Sequence, residues 1–131
     1  MLSTQEIRKI ALARLHDAEV LLGASRFDGA VYLCGYVVEL ALKARICKTL
    51  KWAGYPQTSG AYAGLASFKV HDVELLLKLT GRATAIKSKY LAAWSAVLIR
   101  KPEDRYNLIG SANQVGARLM LDSAAVLLKK L

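Results

Sequence analysis

The stretch Asp28–Leu50, DGAVYLCGYVVELALKARICKTL, decides the fold. Between Ala30 and Leu42 only Glu39 is charged. A helix that is apolar on nearly every side has to be buried on nearly every side, so this segment reads as the central helix of an all-helical domain. Its interior is Val31, Tyr32, Leu33, Tyr36, Val37, Val38, Leu40, Ala41, Leu42 and Ile46, with Asp28 placed to cap its start. The apolar window of 13 residues falls short of the roughly 20 that a bilayer span requires. Past Leu42 the helix turns basic, with Lys43, Arg45, Lys48 and then Lys51, as suits the negative end of a helix dipole.

Working outward, Ser3 and Glu6 have the spacing of a capping box. Ile7, Ile10, Ala11, Leu15, Ala18, Leu21 and Leu22 then mark one face of a first helix that Gly23 closes. His16 falls among polar positions and reads as solvated. On the other side, residues 51–68 hold Gly54, Pro56, Gly60 and Gly64 and read as a long connection. Its Trp52, Tyr55 and Tyr62 either stack on a base or pin the loop to the body, and pinning is the commoner use.

A third helix starts near His71-Asp72 and ends at Gly81, with Val73, Leu76, Leu77 and Leu79 inward. A fourth runs from about Thr84 to Ile99, burying Ile86, Tyr90, Leu91, Trp94, Val97 and Leu98, and Pro102 stops it. After the connector RKPEDRYNLIG (100–110), a fifth begins near Ser111, with Val115, Leu119, Leu121, Ala125, Val126 and Leu128 inward. Strand alternation and hairpin signals are missing. The expected architecture is therefore all-α, one five-helix up-and-down bundle spanning residues 1–131 as a single domain.

Composition narrows the chemistry. The chain has 131 residues, 54% of them hydrophobic, enough for one core. Nineteen Lys and Arg against 10 Asp and Glu give a net charge of +9, which favours RNA, nucleotides or an acidic protein as partner, or serves solubility alone. Residues 75–101 carry Lys78, Arg82, Lys87, Lys89, Arg100 and Lys101 without one acidic residue. Cys34 and Cys47 lie 13 positions apart on one helix, roughly 20 Å, too far to form a disulfide. Free thiols suit a reducing cytoplasm, the N-terminus MLSTQEIRK has no secretory pattern, and the expected location is cytoplasmic. No His or carboxylate stands near either Cys at metal-ligand spacing, so neither a metal nor a cofactor is expected. Phosphate-loop and dinucleotide glycine motifs are missing too.

Glu39 demands an explanation. An i,i+4 ion pair with Lys43 is worth about 0.2–0.5 kcal/mol, whereas an unpaired buried charge costs several kcal/mol. Glu39 should therefore reach a cleft or meet a second cation, and Arg100 or Arg105 in the connector is the expected partner.

The segment HDAEVLLGASRFDGAVYLCGYVVELALKARI (16–46) resembles the front half of a HEPN domain (higher eukaryote and prokaryote nucleotide-binding). The matching features are the leucine pair Leu21-Leu22, the aromatic-x-x-Ala start from Phe27 to Ala30, and Glu39 with Lys43. The His71-Asp72 helix start with Glu74, Leu75 and Leu76, and the stretch from Trp94 to Arg105-Tyr106, extend the likeness over nearly the whole chain. The resemblance implies a helical bundle, commonly a homodimer, acting in RNA cleavage or nucleotide binding. It also implies a partner protein, often a small nucleotidyltransferase in a toxin–antitoxin pair.

Ribonuclease members carry Arg-x(4–6)-His in the connector, and this sequence departs from that pattern: the only histidines are His16 and His71, and neither follows an Arg at that spacing. Metal-independent cleavage needs a group near neutrality to take the 2′-OH proton, which His supplies and Arg does not. The reading that follows is a non-catalytic or degenerate nucleotide- or RNA-binding module. Arg100, Arg105, Tyr106 and Asn107 are its candidate binding residues, with Glu39 and Lys43 facing them. Arg105 would hold a phosphate bidentately and Tyr106 would stack on a base. The alternatives are a ribonuclease toxin with a non-standard site and a structural interaction module.

Overall fold

The computed structural model describes residues 2–56, 71–98 and 109–131, and its architecture is all-α. Among the described residues, six helices follow in order: α1 (Thr4–Gly23), α2 (Phe27–Leu50), α3 (Val73–Leu79), α4 (Ala83–Lys89), α5 (Leu91–Leu98) and α6 (Gln114–Lys130). Two short strands, β1 (Leu2–Ser3) and β2 (Gly54–Tyr55), pair antiparallel with Leu2 opposite Tyr55. The sequence pattern gives no sign of this pairing, since two residues are too few for alternation to register.

α2 is the central element. It packs against α1, α6, α3 and β2, and Val37, Val38, Ala41, Leu42, Ile46 and Cys47 are sealed from solvent along it. Tyr32 and Tyr36, expected inside, are instead 40% and 37% exposed, so one edge of the helix stays open. Burial on the remaining faces is still enough to make α2 the axis of the core.

The caps explain where the helices start and stop. Ser3 and Glu6 form both bonds of the capping box, Glu6 N–H to Ser3 Oγ at 3.1 Å and Ser3 N–H to Glu6 Oε2 at 2.8 Å. Gly23 is the last residue of α1, but the left-handed position of the turn falls on Ser25, φ 61°. Asp28 does not cap α2; Arg26 occupies that position without a side-chain bond. The Asp28 carboxylate instead accepts from the N–H of Gly110 at 2.6 Å and of Ala112 at 2.8 Å, tying the far end of the connector to the start of α2. These two bonds hold its carboxyl below the usual range.

α2 ends on Lys51 in the left-handed conformation, φ 57°, with Trp52 N–H donating to Cys47 O at 2.8 Å. Asp72 caps α3 through the N–H groups of Glu74 and Leu75, and Gly81, φ 72°, ends the segment as expected.

Two expectations fail in the second half. The fourth helix is two helices, broken at Tyr90, whose backbone (φ −129°, ψ 37°) leaves the helical region. Leu91 and Leu98, expected inside, are exposed, while Ile86, Trp94 and Val97 are buried. α3, α4 and α5 are joined by Glu74, which pairs with Lys87 and accepts from Trp94 Nε1 at 3.3 Å.

The last helix starts at Gln114, capped by Asn113; Leu121 and Leu128 are buried as expected, but three of the other residues expected inward are not. Val115 (81% exposed), Leu119 and Val126 point outward; Ala117, Met120, Leu121, Ala124, Leu127 and Leu128 point in. α6 packs against α1, α2 and α5 together, and Ala117, Ser123 and Ala124 are the small residues that let three neighbours approach.

Cys34 and Cys47 are buried free thiols. Burial, with smaller effects from Asp122 and Glu19, pushes Cys34 up to about 12. His16 is solvent-exposed, as expected.

Candidate functional site

Glu39 sits one turn before Lys43 on α2, and its side chain is 7% exposed. Both carboxylate oxygens are occupied. Lys43 Nζ donates to Oε2 at 3.4 Å, and His71 Nδ1 lies 3.1 Å from Oε1. The second partner of Glu39 is the imidazole of His71, immediately ahead of α3. Arg100, Arg105, Tyr106 and Asn107 lie outside the described residues, and so does their expected meeting with Glu39.

Lys43 has a second neighbour. Its ammonium lies 5.3 Å from the centroid of the Tyr55 ring, a cation–π arrangement. Tyr55 is buried, carried there by the β1–β2 pairing, and Trp52 packs on it with ring centroids 6.1 Å apart and planes at 59°. These two loop aromatics thus pin the chain after α2 to the body; Tyr62 lies outside the described residues. The result is a stack in which Tyr55 backs Lys43, Lys43 neutralises Glu39, and Glu39 holds His71.

The stack has a chemical consequence. A carboxylate only accepts hydrogen bonds, so the Nδ1 facing Glu39 carries the proton. The other ring nitrogen, Nε2, is then the free basic position. The His71 side chain is 69% exposed, so Nε2 is open to a ligand. A carboxylate that fixes the tautomer and plane of an exposed imidazole is a common way to prepare a proton acceptor or a hydrogen-bonding group. Lys43, at 13% side-chain exposure and already paired, contributes charge balance to this arrangement more than ligand contact.

His71 is the residue that sequence spacing does not find. It lies 32 positions from Glu39, on the far side of a connection whose path no periodicity defines. The single available signal is the demand of Glu39 for a partner, since the chain has only two histidines.

Among the described residues, no helix is long and apolar enough to cross a membrane. Neither the curated proteins nor the solved structures contain a match to the chain. The HEPN domain family model matches residues 4–117, which takes in α1 to α5, the connector and the first turn of α6. With that match over most of its length, the chain belongs to the HEPN domain family.

Proposed function

We propose that the chain is one HEPN-type module, residues 1–131, that binds a nucleotide or RNA and works with a partner protein in the cytoplasm. The observation that carries this reading is the exposed imidazole of His71 held by the buried carboxylate of Glu39. It is an oriented hydrogen-bonding group at the surface of a chain whose net charge is +9. Arg100, Arg105, Tyr106 and Asn107 supply the phosphate and base contacts in this reading. A small nucleotidyltransferase in a toxin–antitoxin pair is the proposed partner.

The proposed oligomer is a homodimer. Supporting this part, Val115, Leu119 and Val126 form one outward apolar stripe on α6, with Leu12 and Val20 exposed on α1.

Fluorescence anisotropy with a labelled single-stranded RNA and with ATP tests the reading. Binding that weakens steeply with salt, and weakens further in His71→Ala and Arg105→Ala, is expected. No binding at low salt would leave a structural interaction module as the better description.

One observation favours a second reading. His71 has the exposed, carboxylate-oriented geometry of a general base, so a metal-independent ribonuclease with a non-standard site is open. Cleavage of RNA in EDTA that is lost in His71→Ala would promote it.

A further inference from the structure

We infer that the groove between α1 and α6 is the docking site for an acidic amphipathic helix of a partner protein. The groove measures about 460 Å³. Leu12 and Leu15 of α1 and Ala125 and Leu128 of α6 form its apolar floor, and its cations are Arg8, Lys9 and Lys129. Arg8 Nη2 donates to Leu128 O at 2.7 Å, which braces the two walls where α6 ends. Lys9 and Lys129 are the next residues along each wall, so the three cations gather at that end. The groove shares no residue with the Glu39–His71 pair. It extends the partner part of the reading above and does not rest on nucleotide binding.

Two features set this face apart. Leu12 is 62% exposed while Leu15 and Leu128 are buried, so the apolar floor continues out to solvent. The cations also lack a counter-charge: among the described residues, no ion pair includes Arg8, Lys9 or Lys129. Every acidic side chain on the two helices is engaged elsewhere. Glu6, which senses the charge of Lys9, holds the Ser3 N–H; Asp17 pairs with Arg14, Glu19 lies 4.0 Å from His16, and Asp122 lies 3.9 Å from Arg118. The dipole of α6 accounts for Lys129 at its end, but Lys9 stands in the second turn of α1, toward the positive end. An exposed apolar patch with a polar rim marks a protein-interaction surface, and a rim of one sign calls for a partner of the other.

The shape selects a helix. Both walls are helices, so neither offers a strand edge to an extended peptide. A small ligand would stay largely uncovered over a floor as open as Leu12, whereas ligand pockets enclose about 70–90% of what they bind. A third helix satisfies its own backbone and lays side chains at i, i+4 and i+7 between the walls. The lining residues of α1 run from Gln5 to Leu15, ten positions or roughly 15 Å, room for about three turns. A second copy of this chain brings the same net charge of +9, so an acidic partner is the better match.

Fluorescence anisotropy of the intact chain with two labelled peptides tests the assignment. Each has about 14 residues, roughly 21 Å as a helix, with Leu at i, i+4, i+7 and i+11. One has Glu and the other Lys at the positions flanking that stripe. The Glu peptide is expected to bind at least about tenfold tighter than the Lys peptide. Leu12→Asp should weaken it about tenfold, as loss of an apolar anchor implies. Lys9→Glu with Lys129→Glu should weaken the Glu peptide and strengthen the Lys peptide. Lys48→Glu with Lys78→Glu makes the same charge change at exposed positions of α2 and α3. At physiological salt, where distant charges are screened, it should move neither affinity by more than about twofold. Leu12, Lys9 and Lys129 are exposed, so the variants keep the fold, which circular dichroism checks. Equal affinity for the two peptides, no binding of the Glu peptide, or affinity unchanged in both groove variants overturns the assignment. A dimer that becomes monomeric in Leu12→Asp and binds neither peptide puts a second copy in the groove, which overturns it too. The RNA and ATP titrations above use neither these peptides nor these variants, so the two readings fail separately.

Discussion

Replacing Lys43 by Met keeps the apolar stem against Tyr55 and removes the ammonium that lies 3.4 Å from Glu39 Oε2. An exposed i,i+4 pair would lose about 0.2–0.5 kcal/mol, and a wholly buried pair broken on one side would lose about 3–5 kcal/mol. Here the carboxylate is 7% exposed and the lysine 13% exposed, which puts the pair near the buried limit. His71 still donates to Oε1 after the substitution, which reduces the penalty. The expected cost is about 2 kcal/mol, including a contribution from the lost cation–π contact. With a urea slope of about 2 kcal/mol/M, the unfolding midpoint should fall by about 1 M at unchanged slope.

Adding Glu39→Gln should recover most of this loss, because the double variant no longer buries a charge without its partner. A cost below about 0.5 kcal/mol in Lys43→Met, or no recovery in the double variant, would refute the claim that Glu39 is a buried carboxylate held in place by its neighbours.

Other consequences follow from individual positions. Lys51 holds a left-handed conformation that Gly adopts freely, so Lys51→Gly should stabilise by about 0.5–1 kcal/mol, and Gly81→Ala, at φ 72°, should destabilise by about 1 kcal/mol; denaturant midpoints check both. Asp28→Ala should speed amide exchange at Gly110 and Ala112. Because its folded carboxyl is held low, the wild-type tether contributes fully above about pH 3.8 and weakens as pH falls below that value, readable from the same two amides. Cys34 is shifted upward, so its burial stabilises the fold fully below about pH 9.0, and stability should decline as pH climbs toward 12; thiol alkylation of the native chain should be slow over the lower range.

Much of the fold is legible in the sequence because single residues decide it. A charge-poor helix over residues 30–42, the Ser3–Glu6 box, and Asp72 and Gly81 at the ends of the third helix all carry local physical reasons that tertiary packing did not override. The break at Tyr90 is different. No Pro or Gly marks it, and Lys130 sits 5.9 Å from the Tyr90 ring, so the end of α6 approaches a kink that local propensity does not encode. On α6 itself, size points to Leu121 and Leu128, which are buried, but also to Val115, Leu119 and Val126, which are not, while close packing selects Ala117 and Ala124.

The site divides in the same way. That Glu39 needs a partner follows from burial energetics. That His71 supplies one depends on where the chain returns to α2 after the long connection, which no pattern in the sequence specifies.

The nitrogen-15 spectrum of the His71 imidazole, titrated with a mononucleotide or short RNA near neutral pH, tests the site most directly. An Nδ1–H tautomer is expected in the free protein, lost in Glu39→Gln, with a shift of the Nε2 resonance as ligand is added. An Nε2–H tautomer, or an Nε2 resonance that ignores saturating ligand, would contradict it.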